Sequence, residues 1–121
     1  MTKVKIFHAP LQAMARDCGN IVGIECDGHS CGVRGDGGAD IVCASVSLCM
    51  EMLETGLRQV IPDVDVSITE SRLRGYKSIR WEATESADFA RFIAAVVAVT
   101  LRNIAATYPR NVSIEEIEEE K

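Results

Sequence analysis

Short runs of alternating apolar and polar residues predict five β-strands, because successive side chains of a strand point to opposite faces of a sheet. The first run ends before an Ala-Pro dipeptide at 9–10, since proline cannot donate a hydrogen bond to a neighbouring strand. A Gly-Asn turn precedes the second run, and an Arg-Gly turn separates the third from the fourth. The predicted strands lie at residues 4–8, 20–27, 64–68, 76–81 and 112–117.

Two longer segments predict helices. The first begins at Asp40, a residue type that caps helix N-termini, and ends near Gly56. Its apolar residues lie almost all round the helix, so we expect it to be deeply buried. The second is capped by Ser86 or Asp88 and stopped by Pro109. Its predicted buried stripe consists of Phe92, Ile93, Val96, Val97, Thr100, Leu101 and Ile104.

The resulting order is strand, strand, helix, strand, strand, helix, strand. Hairpins joined by helices predict an α+β fold, with a mixed or antiparallel sheet and two long helices packed on one face. No linker, repeat or low-complexity segment divides the sequence, and 121 residues are enough to bury a core. We therefore expect residues 1–121 to form a single domain.

The charge distribution argues against several classes of partner. The formal net charge is −5, and much of it lies in the acidic segment 115–120, which we expect to be a solvated, frayed tail. A protein that binds nucleic acid through phosphates needs a basic face, which is not expected here. No run approaches the roughly 18 consecutive apolar residues that span a bilayer, and the first residues lack a signal peptide's apolar run. The sequence predicts a cytoplasmic protein with no membrane partner.

Five cysteines are present, an odd number at irregular spacing, which does not fit a disulfide framework. In a reducing cytosol they are expected to be free thiols. Cys49 is predicted to be a core residue, and Cys18 and Cys26 core or strand-face thiols. Cys31 lies within a glycine-rich loop, where an accessible, redox-sensitive thiol is expected.

The segment 28–39 contains five glycines in twelve residues, which predicts an irregular loop of the kind that carries function. Cys43 follows it in the predicted first turn of a helix, where free N–H groups and the helix dipole stabilise a thiolate. His29 lies where the second strand meets the loop, and an imidazole can shuttle protons at neutral pH. Spacing alone leaves two alternatives open, since Cys43 also fits a small core residue and His29 an ordinary loop residue.

Two sequence blocks carry a family resemblance. Gly-His-Ser at 28–30 and Gly-Ala-Asp-Ile-Val-Cys-Ala-Ser-Val-Ser at 38–47 resemble the signature of the ribosomal-processing cysteine proteases, the Prp family. The chain length and the order of elements agree as well, although Ser30 replaces the alanine that is usual in the family. The resemblance implies that His29 is the catalytic histidine and Cys43 the nucleophile. The flanking positions that match the motif, and are expected to support the site, are Gly28, Gly38, Asp40 and Ser47.

The resemblance also implies a function. We expect a cysteine endopeptidase that removes a short N-terminal extension from a large-subunit ribosomal protein, protein twenty-seven, and that forms a homodimer without a cofactor. Asp40 either orients the histidine or caps the helix. One alternative is a zinc-binding module built from Cys26, His29, Cys31 and Cys43, although this spacing matches no common zinc site. The other is a non-catalytic ribosome-associated protein with the same fold.

Overall fold

A computed structural model of the chain describes residues 1–10, 20–28, 37–83 and 85–119. It contains five strands and two long helices, in the order that the sequence predicts. The strands are β1 (Thr2–His8), β2 (Ile21–Asp27), β3 (Val64–Ser71), β4 (Tyr76–Ala83) and β5 (Val112–Glu118). The helices are α1 (Gly37–Thr55), which continues into a π-helical turn (Gly56–Val60), and α2 (Ala87–Thr107).

The five strands form one mixed sheet in the order β3-β4-β2-β1-β5. The first four pair as antiparallel neighbours, whereas β5 runs parallel to β1, with Thr2 opposite Val112. A parallel pair needs a long crossover, which the intervening helices supply. The predicted α+β fold, with a mixed sheet and two helices, is therefore confirmed.

One apolar cluster fills the space between the sheet and the helices. On the sheet side it is built from alternate strand residues, because side chains two apart share a face. Ile6, Ile24 and Ile79 are all fully buried there. The helices contribute Val42, Val46, Cys49, Met50 and Leu53 from α1, and Ala90, Ala94, Val97, Ala98 and Leu101 from α2. Cys49 is 5% exposed, which confirms its assignment to the core.

Helix α1 begins four residues earlier than expected for a helix capped by Asp40. Its first residue is Gly37, so Asp40 lies inside the first turn and is not the N-cap. Cys43 is then the seventh helical residue, in the second turn, and the prediction of a first-turn position was wrong. A residue at that depth has an intrahelical acceptor for its own N–H group, because the first four residues alone lack one. Two glycines at 37–38 misled the prediction, since glycine is a poor helix former.

The predicted burial of the helices was wrong in part. The buried face of α2 consists mainly of alanines, whereas Phe92 and Val96 of the predicted stripe are 62% and 44% exposed. Alanines allow a close approach between α2 and the layer beneath it, which leaves the larger side chains on the other side. The two helices together carry an exposed apolar surface, which we call the outer helical face: Ile41, Leu48, Met52, Phe89, Phe92, Val96 and Val99.

By length and composition alone, α2 could also cross a membrane. A core helix of a soluble protein passes the same test, and five of the residues of α2 are buried in the shared core.

The start of α2 is capped from another element. Ser86 occupies the N-cap position, as one of the two predictions had it, but its side chain makes no capping hydrogen bond. Instead Asp63 Oδ2 accepts hydrogen bonds from the N–H groups of Glu85 (2.7 Å) and Ser86 (3.3 Å). Asp63 itself adopts a left-handed conformation, with φ of 59°, in the turn before β3. A carboxylate at this end of a helix also interacts favourably with the helix dipole.

The acidic residues at 115, 116 and 118 belong to strand β5, contrary to the predicted frayed tail. Glu116 accepts two hydrogen bonds from Arg102, at 2.7 and 2.9 Å, and lies 2.8 Å from His8 Nε2. The Arg102 interaction is the main cause that lowers the pKa of Glu116, with a smaller contribution from His8. Glu119 forms an ion pair with Arg80. Several of the acidic residues are therefore committed to holding β5 in place.

Candidate active site

The end of β2 is fixed tightly at the residue that precedes His29. Gly28 has a φ of 101°, a conformation that side-chain-bearing residues rarely adopt. A Cβ atom built there would lie 2.8 Å from the carbonyl oxygen of Met1. The Gly28 N–H group donates to the Gly75 carbonyl (3.2 Å), and the buried Thr2 hydroxyl donates to the Gly28 carbonyl (3.3 Å). The glycine of the Gly-His motif is thus required by the backbone.

The β3–β4 hairpin braces the same strand end from the side. Arg74, which lies in the turn of this hairpin, forms an ion pair with Asp27 at 3.0 Å. Its guanidinium group also stacks over the ring of Tyr76, 4.9 Å from the ring centroid. The Tyr76 hydroxyl donates to Glu25 Oε1 at 2.9 Å. Burial first, and then the Glu25 carboxylate, raise the pKa of Tyr76. The hairpin and the end of β2 are therefore joined by both side-chain and backbone contacts.

A cavity of about 320 Å³ opens between α1, the end of β2 and this hairpin. Cys43 and Ser47 line it from α1, one helical turn apart, as the sequence predicts for two residues on one face. Gly28 lines it at the point from which the chain continues to residue 29. The remaining lining residues are Thr2, Cys26, Val46, Met50, Glu51, Glu70, Ser71, Arg72, Gly75, Tyr76 and Lys77.

Two thiols share this cavity. Cys43 is half-buried and Cys26, on β2, is also half-buried; neither forms a disulfide. Burial is the main cause that raises the pKa of Cys26 to about 12, and the negative charge of Cys43 is the next. The predicted assignment of Cys26 as a strand-face thiol is correct, but its place in the cavity was missed. The sequence grouped Cys26 with Cys43 only in the zinc alternative, because a strand pattern does not identify a residue's neighbours.

Charged side chains surround the cavity, and one of them, Lys77, forms an ion pair with Glu54. Lys77 Nζ lies 2.6 Å from Glu54 Oε1, and Arg58 donates to the other Glu54 oxygen at 3.1 Å. The hydrogen bond from Lys77 is the main cause that lowers the pKa of Glu54. Glu51 and Glu70 add carboxylates to the rim, which sequence reasoning had not assigned to the site.

Several predicted site residues lie outside the described part of the chain. They are His29, Cys31 and the side chain of Asp40, so the proposed pairing of His29 with Cys43 stays a prediction. Gly38 is in the first turn of α1. Within the described ranges, no group of three or more His, Cys, Asp or Glu residues is arranged to hold a metal ion. The zinc alternative needs His29 and Cys31, which are not among those residues.

Solved structures share this fold. The chain is similar to SMU.848 from Streptococcus mutans, with 23% identity, a TM-score of 0.80, and coverage of 98% of this chain and 96% of that one. It is also similar to the ribosomal processing protease Prp from Staphylococcus aureus. The structure of that protein in complex with a substrate peptide gives 23% identity and a TM-score of 0.74, with 96% of this chain and 99% of that one covered. A second structure of the same protein carries a covalently linked product peptide, with a TM-score of 0.73.

Sequence comparison supplies the family. No curated protein sequence matches the chain significantly. The family model described as cysteine protease Prp, however, matches residues 1–113, which is nearly the whole chain and includes both motif blocks. The chain therefore belongs to the Prp family of cysteine proteases.

Proposed function

We propose that this protein is an endopeptidase in which Cys43 and His29 act as a dyad, and that its substrate is the N-terminal extension of large-subunit ribosomal protein twenty-seven. The observation that carries the proposal is the cavity: the motif cysteine lines it from α1, and Gly28, directly before the motif histidine, lines it from β2. The Staphylococcus aureus relative, described as a ribosomal processing protease with bound substrate peptide, supports the substrate class.

The proposed reaction follows from the two residue types. The Cys43 thiolate attacks the scissile carbonyl carbon, and the His29 imidazolium protonates the leaving amine. His29 then removes a proton from water, which attacks the thioester and releases the second product. Because Cys43 lies in the second turn of α1, its own N–H is committed within the helix. Donors to the oxyanion must come from other groups that reach the cavity.

Peptide cleavage tests the proposal. A peptide spanning the extension of the same organism's ribosomal protein should be cut by the wild type, and cleavage should disappear in Cys43→Ala and in His29→Ala. Cys49→Ala is the matched control, because it removes a thiol from the same helix but from the core. Each variant is checked by thermal unfolding. Continued cleavage by Cys43→Ala would refute the proposed nucleophile. Peptide binding without any cleavage by the wild type would favour the non-catalytic alternative.

We further propose that the protein is a homodimer that buries the outer helical face. Phe92 and Leu48 are 62% and 59% exposed there, and burial of such side chains is worth about 1.5–3 kcal/mol each. An apolar groove of about 420 Å³ runs between the helices, with Met52 and Ile93 among its lining residues. Clustered exposed apolar side chains of this kind mark interaction surfaces in soluble proteins. We also propose that residues 1–121 form a single domain.

Light scattering tests the dimer. Phe92→Glu and Leu48→Glu should give monomers, whereas Leu73→Glu, on the β3–β4 turn and 99% exposed, should remain dimeric. A monomeric wild type would refute the dimer. We also propose that the protein acts in the cytoplasm, where Cys26 and Cys43 would stay reduced and where ribosomal proteins are made. Cell fractionation with an antibody against the protein checks this location.

A further inference from the structure

The second thiol of the cavity has no role in the proposed peptide cleavage. Cys26 lies on β2 with its partners in register, Val4 on β1 and Lys77 on β4. Its side chain points to the same face as buried Ile24, which is the face covered by the helices. Cys43 reaches the same cavity from α1. Two cysteines that are not in a disulfide therefore line one cavity from two regular elements, a central strand and a helix.

The surroundings of Cys26 keep its thiol protonated. Burial raises the pKa of Cys26 to about 12, so its sulfur is a neutral thiol at neutral pH. The charge of Cys43 is the second cause of this shift, which agrees with the two residues lining one cavity. Cys26 therefore does not compete with Cys43 as a nucleophile in the resting enzyme.

We propose that Cys26 is the resolving thiol for Cys43, so that oxidation of the site by a hydroperoxide produces a reversible Cys26–Cys43 disulfide. The inference rests on the proposed function in one respect, that Cys43 is the reactive thiol. It assigns to Cys26 a modification that neither the family resemblance nor the proposed cleavage requires.

The chemistry balances with the hydroperoxide as the oxidant. The Cys43 thiolate attacks the terminal oxygen, so an S–O bond forms, the O–O bond breaks, and the leaving oxygen takes up a proton. Cys43 is then a sulfenic acid. The Cys26 sulfur attacks the Cys43 sulfur; an S–S bond forms, the S–O bond breaks, and the departing hydroxide takes the Cys26 proton to become water. Two thiols lose two electrons in all, and the hydroperoxide gains them.

The first step prepares the second. A sulfenic acid is uncharged at neutral pH, so one of the causes that raise the pKa of Cys26 disappears when Cys43 is oxidised. Cys26 then ionises more readily at the moment when its attack is needed. The disulfide holds the two sulfurs about 2 Å apart, so the Cys43 sulfur is no longer available as a nucleophile. A small dithiol reverses the reaction by thiol–disulfide exchange. Without Cys26, the sulfenic acid is open to further, irreversible oxidation.

Peptide mapping and recovery of activity test the inference together. The purified full-length protein is treated with hydrogen peroxide and digested under non-reducing conditions, and a Cys26–Cys43 linked peptide is expected by mass spectrometry. Wild-type activity should fall and return after dithiothreitol, each protein being compared with its own untreated sample. Cys26→Ala should lose activity that dithiothreitol does not restore, with a sulfinic acid at Cys43. Cys49→Ala, which removes a core thiol, should behave like the wild type.

Two outcomes would overturn the inference: full recovery of Cys26→Ala after dithiothreitol, or a map in which Cys43 links to another cysteine such as Cys31. If Cys26→Ala fails to fold, Cys26→Ser repeats the recovery assay, and the wild-type map decides by itself. The map requires no turnover. An inactive wild type with a Cys26–Cys43 link would therefore refute the proposed peptidase and support this inference. An active wild type without the link would support the peptidase and refute this inference.

Discussion

Replacing Gly28 with alanine should destabilise the protein far more than a single added methyl group suggests. The native φ of 101° costs a non-glycine residue of the order of 1–3 kcal/mol. The new Cβ would also lie 2.8 Å from the Met1 carbonyl oxygen, a backbone atom that cannot rotate away. Overpacking against fixed atoms typically costs a further 1–3 kcal/mol. Lower entropy of the unfolded chain offsets about 0.4–1 kcal/mol of this.

We therefore expect Gly28→Ala to lower the free energy of unfolding by about 1–6 kcal/mol. Urea unfolding measures this directly, because Trp81 is the sole tryptophan and is buried, so that its fluorescence reports the core. Gly56→Ala is the matched control. Its new Cβ would meet the Ile93 side chain at 3.2 Å, a flexible group that can give way. A change of less than about 1 kcal/mol is expected there.

Gly28→Ala should also lose activity that the loss of stability does not explain. The strand end precedes His29 directly, and misplacement of a catalytic group by about 1 Å costs roughly a hundredfold in rate. The reduced kcat/KM should persist at temperatures where the variant is fully folded. An unfolding free energy within about 1 kcal/mol of the wild type would refute the argument from φ and from the Met1 contact. Wild-type activity in a destabilised variant would instead show that the strand end does not position His29.

Three further predictions concern stability, each measured by chemical denaturation. The pKa of Glu116 is lower in the folded protein than its unfolded value near 4.5. The pairing with Arg102 therefore stabilises the protein above that pH, and this stabilisation is lost as the pH falls through the folded pKa. Glu116→Gln should flatten the dependence of stability on acid pH, and an unchanged dependence would contradict the argument. Asp63→Ala should cost about 1 kcal/mol through the lost cap of α2, with Asp63→Asn closer to the wild type. Thr2→Val should cost about 1 kcal/mol and Thr2→Ser much less, since the buried hydroxyl is the donor; equal losses would indicate packing instead.

The strand pattern was predictable because each strand carries a local, period-two signal. Val64, Val66 and Ile68 alternate with polar residues, and β3 covers them. The parallel pairing of β5 with β1 was not predictable from any such run, since a strand's own pattern does not identify its neighbour. The pairing depends on how the whole sheet and both helices pack together.

The faces of the helices could not be assigned for a physical reason. Both helices are apolar on more than one side, so the most hydrophobic stripe of α2 includes Phe92, which is exposed, and omits Ala94, which is buried. The sheet-facing side is chosen by fit, and small residues fit where helices approach closely. For the site, the motif placed Cys43 and Ser47 on one face of α1, and that placement holds. Cys26 was missed because its strand pattern indicates burial, which gives no information about what lies beside it.

The parallel pairing of β5 with β1 has a consequence for biosynthesis. The Thr2 N–H group donates to the Asn111 carbonyl at 2.8 Å, so contacts more than a hundred residues apart close this side of the sheet. Such long-range pairing forms late, because loop closure costs entropy before any contact rewards it. While the nascent chain emerges, β1 pairs with β2 alone and leaves one edge open, and open edges invite pairing between chains. Translation of β5 therefore replaces the open edge of β1 with an acidic edge strand that carries Glu115, Glu116 and Glu118, and charged residues on an edge strand oppose pairing between chains.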